Sequence, residues 1–169
     1  YYADYAVGSS GAVAQAERPA ATPVPVPLSS IVGQEHAISV LTGAINAGRV
    51  HHAWIFHGPQ GVGKLTTAVA FASLLLDPTT AVGLTGELAP DPDSRVQHLL
   101  AAGTHPDLHV ITKELALYSE DRETRNKKLR TIPKQVIRDH LLDPAHLAAS
   151  IRNDAVASKV FIVDEAELL

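Results

Sequence analysis

Apolar and polar positions fall along this chain in blocks whose period changes, and the changes lay out the elements. From Gln34 to Ala47, the residues Ala37, Ile38, Leu41, Ala44 and Ile45 recur at helical spacing on one face, and Gly48 follows as a residue suited to end a helix. Ala53-Trp54-Ile55-Phe56 is a short apolar run of strand type. Ala68 to Leu76 is apolar all round, which predicts a well-buried helix, and Asp77-Pro78 closes it. After the turn Thr104-His105-Pro106-Asp107, Leu108–Ile111 reads as a second strand. Ile132-Pro133 opens a helix with Val136, Ile137, His140 and Leu141 on its inner face, and Pro144 starts another, to about Arg152. Val160-Phe161-Ile162-Val163 is a continuous apolar run, the signature of a strand covered on both faces in a parallel sheet, and it ends in Asp164-Glu165.

The segments between these blocks carry other signals. Residues 1–29 are rich in Ala, Pro, Gly and Ser, with Pro19, Pro23, Pro25 and Pro27, and read as a disordered or extended leader; a partner-binding polyproline segment is the sharper alternative. Folding is expected to begin near Leu28, so that residues 30–169 form the folded part. Thr79 to Gly103 looks like an insertion with a short helical pattern at Val96, Leu99 and Leu100. Ser119 to Arg130 mixes three acids with five bases and reads as a solvated loop, or more sharply as a contact to a phosphate backbone. His105 and His109 stand four apart, but Pro106 breaks a shared helix face, and they read as ordinary histidines.

Composition narrows the field. A chain of 169 residues with 46% hydrophobic and 19% charged residues is long enough for one domain with a core. The net charge of −4 does not by itself mark a nucleic-acid binder. Without cysteine there are no disulfides, thiolate zinc sites or cysteine nucleophiles, which is compatible with a cytoplasmic location. No apolar run reaches the ~18 residues of a membrane span. No secretory signal is visible, and a first residue Tyr1 suggests a fragment or a processed product.

The candidate chemistry lies between the first strand and the apolar helix. Gly58-Pro59-Gln60-Gly61-Val62-Gly63-Lys64 is the frame of a phosphate-cradling P-loop. Gly58, Gly61 and Gly63 permit positive φ, the loop N–H groups then converge into an anion nest, and the next helix adds the positive end of its dipole. Lys64 would supply a mobile positive charge. One position departs from the pattern: where a Ser or Thr should ligate magnesium, this chain has Leu65, with Thr66 one residue later and turned about 100° around the helix. Nucleotide binding survives that departure better than magnesium-dependent hydrolysis. The bland alternative is a glycine-rich turn that binds nothing.

The acids after the last strand complete the expected site. A P-loop needs a second strand whose terminal Asp serves magnesium, and a following Glu can polarise the attacking water; Asp164 and Glu165 fit those roles, the alternative being a pair that caps a helix from Ala166. The strands and helices together predict an α/β fold, a parallel sheet flanked by helices.

With Ile31–Gln34, Gly58–Lys64, His105-Pro106-Asp107 and Val160–Glu165 in this order, residues 28–169 resemble the AAA+ clamp-loader ATPases of bacterial DNA polymerase III, the delta-prime branch first and gamma/tau next. The resemblance implies a P-loop NTPase domain, incomplete at its C-terminus, in a hetero-oligomeric loader that uses ATP to place a sliding clamp on primed DNA. Other clamp-loader subunits, the clamp, and DNA reached through the assembled complex would be its partners. Carried over by position, Gly58, Pro59, Gln60, Gly61, Val62, Gly63, Lys64, Leu65 and Thr66 would hold the phosphates, Ile31 and Val32 would lie near the adenine, Asp164 would serve magnesium and Glu165 would be the catalytic acid. The family's four-cysteine zinc module is absent, so Asp77–Gly103 must be held some other way, without zinc. Leu65 suits a subunit that binds nucleotide with weak or no hydrolysis; its own activity would be at most a weak ATPase within the polymerase holoenzyme. The competing readings are a structural assembly subunit with a vestigial loop and a small-molecule P-loop kinase, for which no acceptor site is visible.

Overall fold

In the computed structural model, residues 23–83, 86–126 and 129–168 are described. The leader's residues 1–22 therefore lie outside the described residues. The element order is α1 (Glu35–Asn46), α2 (Lys64–Leu76), β1 (Ala81–Val82), β2 (Leu88–Ala89), α3 (Arg95–Ala101), β3 (Leu108–Ile111), α4 (Arg122–Arg125), α5 (Lys134–Ile137), α6 (Asp143–His146) and β4 (Val160–Val163).

α2 is apolar all round because it is covered on several sides. Its Ala70 and Leu74 meet Leu28 of a 3-10 turn (Leu28–Ser30), its Phe71 and Leu75 meet Leu41 of α1, and its Leu76 meets Val96 and Leu100 of α3. Val160 of β4 reaches the same helix.

β3 and β4 form a parallel pair in the register Leu108↔Val160 to Ile111↔Val163. Side chains on a strand alternate between faces, and this pair obeys the rule. Leu108 and Val160 pack toward α2 and α3, whereas Ile111, Phe161 and Val163 join Leu115, Ile132 and Val136 in a core on the opposite side. His109 and Phe161, paired across the strands, stack with ring centroids 4.8 Å apart. The result is a small sheet with helices on both faces, an α/β arrangement. β1 and β2 are a separate two-residue antiparallel ladder.

Four expectations are corrected. Ala53–Phe56 is not a strand: Trp54 and Phe56 turn inward onto the α1–α2 core while Ile55 is 94% exposed. The alternation of a strand is present, but among the described residues no neighbour pairs with it, and apolar alternation alone cannot supply ladder hydrogen bonds. The expected parallel sheet is accordingly two strands wide among the described residues. The solvated loop expected at Ser119–Arg130 holds α4, capped by the Asp121 carboxylate, with Ser119 and Thr124 buried.

The helix expected from Pro144 to Arg152 ends at His146. It also does not start afresh, because a π turn (Arg138–Leu142) joins α5 to α6, with the Asp143 N–H donating to the Arg138 carbonyl. Pro144 has no N–H to continue an α ladder, and a widened turn absorbs that loss. Beyond His146, Lys159 Nζ donates to the carbonyls of Pro144 and Leu147 at 2.7 and 3.1 Å. The N–H groups of Ser150 and Ile151 go to the Asp107 carboxylate, both at 2.8 Å, so they are not available to a helix.

The insertion is held by Asp77. This side chain is 1% exposed and accepts from the Thr79 N–H (2.9 Å), the Thr79 hydroxyl (2.7 Å), Ser94 Oγ (2.5 Å) and Gln97 Nε2 (2.9 Å). Ser94 also caps α3 by accepting from the Gln97 N–H. One carboxylate thereby ties the end of α2 to the start of α3 across the insertion. Burial pushes the Asp77 carboxyl upward, but the hydrogen bonds from Ser94, Thr79 and Gln97 outweigh it and hold it below the ordinary carboxylate range. Asp77→Ala should cost about 3 kcal/mol in urea unfolding, because several donors lose a charged acceptor at once. The depressed folded pKa means that the carboxylate's contribution is complete above its unfolded pKa of about 3.9 and is lost as pH falls through the lower folded value. The difference between wild type and variant should therefore shrink only in acid.

Candidate functional site

The Gly58–Lys64 segment folds as a tight loop onto the start of α2. Gly61 and Gly63 take φ of 83° and 87°, a left-handed backbone that side-chain-bearing residues avoid. Gly63 is the residue before α2 and has no side chain to cap it. The first N–H groups of a helix have no intrahelical acceptor. Here the first to find one on the loop side is that of Thr67, bonded to the Gly63 carbonyl at 2.8 Å. The N-terminus of a 13-residue helix is thus left open, with its dipole's positive end toward the loop.

Lys64 crosses the loop, its Nζ donating to the carbonyls of Gly58 and Pro59, both at 3.0 Å. An ammonium centred over the loop keeps the turn closed and stands where an incoming anion could exchange with the carbonyls. Gln34 Nε2 donates to the Val62 carbonyl at 3.3 Å, joining the segment before α1 to the loop. Leu65 and Thr66 are half-buried, and the Thr67 hydroxyl is spent on the Gly63 carbonyl at 2.9 Å.

An open pocket of about 310 Å³ lies beside this loop, walled by Gln34, Val40, Ile55, Phe56, Lys64 and Thr67 among others. It gathers Val62 and Lys64 of the expected loop residues, together with Gln34 and Thr67, which the motif did not single out. Gly58, Pro59, Gln60, Gly61, Gly63, Leu65 and Thr66 lie outside its walls, as do Asp164 and Glu165. Ile31 packs partly buried against the Leu28, Ala70 and Leu74 core, and Val32 beside it is 89% exposed.

Asp164 continues the ladder beyond β4, its N–H donating to the Ile111 carbonyl at 2.9 Å. Glu165, next to it, has φ 51°, the one left-handed non-glycine among the described residues. Its Oε2 is 2.6 Å from Lys113 Nζ. The hydrogen bond to Glu165 and the charges of Glu165, Glu114 and Asp164 hold the Lys113 ammonium above its ordinary pKa, against a smaller opposing effect of desolvation. Lys113 went unnoticed in the sequence, although a signal was there: it stands two residues after β3 just as Glu165 stands two after β4, and in-register parallel strands bring equal offsets together.

His105 of the turn before β3 and His109 within β3 belong to the scaffold. His105 is 8% exposed and its Nδ1 accepts from the Asp107 N–H at 3.2 Å, which leaves the ring proton on Nε2. Burial lowers its pKa against the opposing charges of Asp107 and Asp77. Burial likewise lowers that of His109. Among the described residues no group of three or more His, Cys, Asp or Glu could hold a metal ion, and no helix is long and apolar enough to cross a membrane.

A left-handed Glu165 is a strained choice kept despite its cost of roughly 1–2 kcal/mol. Glu165→Gly should therefore be more stable than Glu165→Ala by about 1 kcal/mol in urea unfolding, since both lose the ion pair and only glycine relieves the backbone.

Comparison with known proteins bears on what this loop serves. Residues 33–169 match the family model described as DNA polymerase III, delta subunit. The DNA polymerase III subunit gamma/tau of Mycobacterium bovis is 30% identical over 129 residues, covering 75% of this chain and 22% of that protein. The subunit gamma of Buchnera aphidicola subsp. Baizongia pistaciae is 26% identical over 126 residues, 73% of this chain and 32% of its own length. The subunit tau of Escherichia coli is 43% identical over 44 residues, 26% of this chain and 7% of its own. The chain thus spans between about a fifth and a third of the length of the first two relatives. No solved structure matches at comparable significance.

Proposed function

Because the chain belongs to the DNA polymerase III delta subunit family, we propose that it is part of a clamp-loader subunit of the replicative polymerase, and that its P-loop seats ATP in an AAA+ domain. The relatives are subunits of that polymerase, so the assembly in which this chain works is a multi-subunit one. Its partners in this reading are the other loader subunits, the sliding clamp, and primed DNA reached through the assembled complex.

The observation that carries the nucleotide reading is the loop itself. Left-handed Gly61 and Gly63, the open N-terminus of α2 and the Lys64 ammonium converge at one place, which is the chemistry a phosphate requires. A triphosphate would trade its oxygens for the two carbonyls that Lys64 now holds. The segment Ile31–Gln34 sits beside it through the Gln34–Val62 bond and is the side on which the base would lie. Asp164 is available as a water-mediated ligand of magnesium, but Leu65 brings no hydroxyl.

A second reading is favoured by the same lysine. Its ammonium is already satisfied by two loop carbonyls, as it would be in an assembly subunit whose loop is vestigial. Lys64→Ala separates the two. On the nucleotide reading it lowers affinity for a fluorescent ATP analogue by about tenfold or more, the loss expected for a charge-assisted contact, and clamp loading falls with it. If affinity and loading are unchanged, the loop is vestigial. Leu65→Thr should in addition make binding magnesium-dependent, read as a change in affinity on adding EDTA.

A further inference from the structure

Residues 144–151 are held down by two opposite charges. Asp107 and Lys159 each stand one position before the in-register pair Leu108↔Val160. The Asp107 carboxylate takes the N–H groups of Ser150 and Ile151, both at 2.8 Å. Lys159 Nζ donates to the carbonyls of Pro144, Leu147 and Ala148 at 2.7, 3.1 and 3.5 Å. The segment's own backbone adds the Leu147 N–H to the Pro144 carbonyl at 3.2 Å. Apolar burial adds little, since no residue of the π turn or of α6 is buried and Leu147 is 69% exposed. This stretch is a strap kept in place by charge, so a change of charge beside it decides whether it stays closed.

His109 supplies a group whose charge can change there. It is half-buried, stacks on Phe161 with the rings 4.8 Å apart and 12° from parallel, and lies on the strand against which the π turn packs. The charged and titratable groups acting on it are Lys159 from the start of β4, His140 from the π turn, and Asp107 and His105 from the turn before its own strand. The acids of the covering elements are engaged elsewhere or face water: Asp139 accepts from Gln135 Nε2 at 2.7 Å, and Asp143 is exposed. Asp107 is the one acid acting on His109, and both its oxygens already serve the strap.

We propose that the strap is acid-labile and that His109 is its sensor: a proton on this ring places a second fixed cation beside Lys159 and drives the lysine off the strap's carbonyls. The inference does not rest on the nucleotide reading. Burial first, and the Lys159 charge next, hold the His109 pKa below its ordinary value against the pull of Asp107, with His140 and His105 adding to the lowering. Opening the strap lets water reach the ring and lets Lys159 swing away, so the pKa returns toward about 6.5 in the open form. A proton therefore binds the open form better than the closed one. Opening is suppressed above about pH 6.5 and favoured as pH falls below it, down to the lower value of the closed form. One proton linked to opening shifts the equilibrium by at most about tenfold per pH unit.

The test is amide hydrogen exchange on the full chain, wild type and His109→Phe, at about pH 7.5 and about pH 5.5, corrected for the intrinsic pH dependence of exchange. Phenylalanine keeps a flat ring on Phe161 and removes the proton. In wild type, opening at the Leu147, Ser150 and Ile151 amides should rise about tenfold at the lower pH, and in His109→Phe it should stay level. The amides of α2 should remain protected in both proteins. No rise in wild type overturns the proposal, and so does a rise that α2 shares, which is global unfolding. A rise that persists in His109→Phe also overturns it, and its loss in His105→Asn would move the sensor to the neighbouring histidine. Should His109→Phe fail to fold, a proton NMR titration of the wild-type ring decides. The His109 pKa should lie below the ordinary value and climb toward it in Lys159→Met, and an unchanged value would sink the coupling to the strap.

Discussion

A buried carboxylate sets the register on which the rest of the structure depends. Asp107 is fully buried, its two oxygens take the N–H groups of Ser150 and Ile151, and its own carbonyl accepts from the Val160 N–H at 2.9 Å. One residue at the start of β3 therefore fixes both the returning loop and the start of β4. A slip of one residue would turn every side chain of a strand to the other face. With the pin in place, Leu108 and Val160 face α2 and α3 while Ile111 and Val163 face the α5 core. A buried charge is costly unless its hydrogen bonds are met, and here backbone donors from a distant segment meet them. The same two bonds explain why residues 147–152 are not helical.

The loop at the head of α2 inherits its position from a different constraint. α2 is buried along almost its whole length, from Thr67 to Leu76, so it cannot move without opening three clusters at once. Its first turn is the part left out of those clusters. A rigid helix that ends in an open, uncapped N-terminus is a well-founded platform for an anion. Asp77 closes the other end of the same helix, so the insertion that follows is anchored by one acid where four cysteines and a metal were the family expectation.

Much of this was legible in the residues, for identifiable reasons. α1, α2, β3 and β4 were visible because their apolar periods are strong and their ends are marked by Gly48, Asp77-Pro78 and the His105-Pro106-Asp107 turn. The left-handed turn before α2 was visible because the spacing of Gly58, Gly61 and Gly63 is itself a statement about φ. What escaped notice depended on partners far along the chain. Ala53–Phe56 has a strand's alternation, but a ladder also requires a neighbour. The end of the Pro144 helix is decided by Asp107, some 40 residues earlier, whose carboxylate removes the donors of Ser150 and Ile151. Lys113 belongs to no motif, and only the register of two parallel strands gives it Glu165 as a partner.

Those differences bear on how binding and cleavage divide in this fold. On the proposed reading, holding a triphosphate relies on backbone: positive φ at Gly61 and Gly63 and the dipole of α2, with Lys64 as the added charge. Cleaving it relies on side chains, namely a hydroxyl for the metal and a free acid for the water. In this chain Gly61, Gly63 and the head of α2 supply the backbone part, and Leu65 stands where a metal-binding hydroxyl would be needed. On the proposed reading, a nucleotide held in this way acts as a fixed part of the assembly.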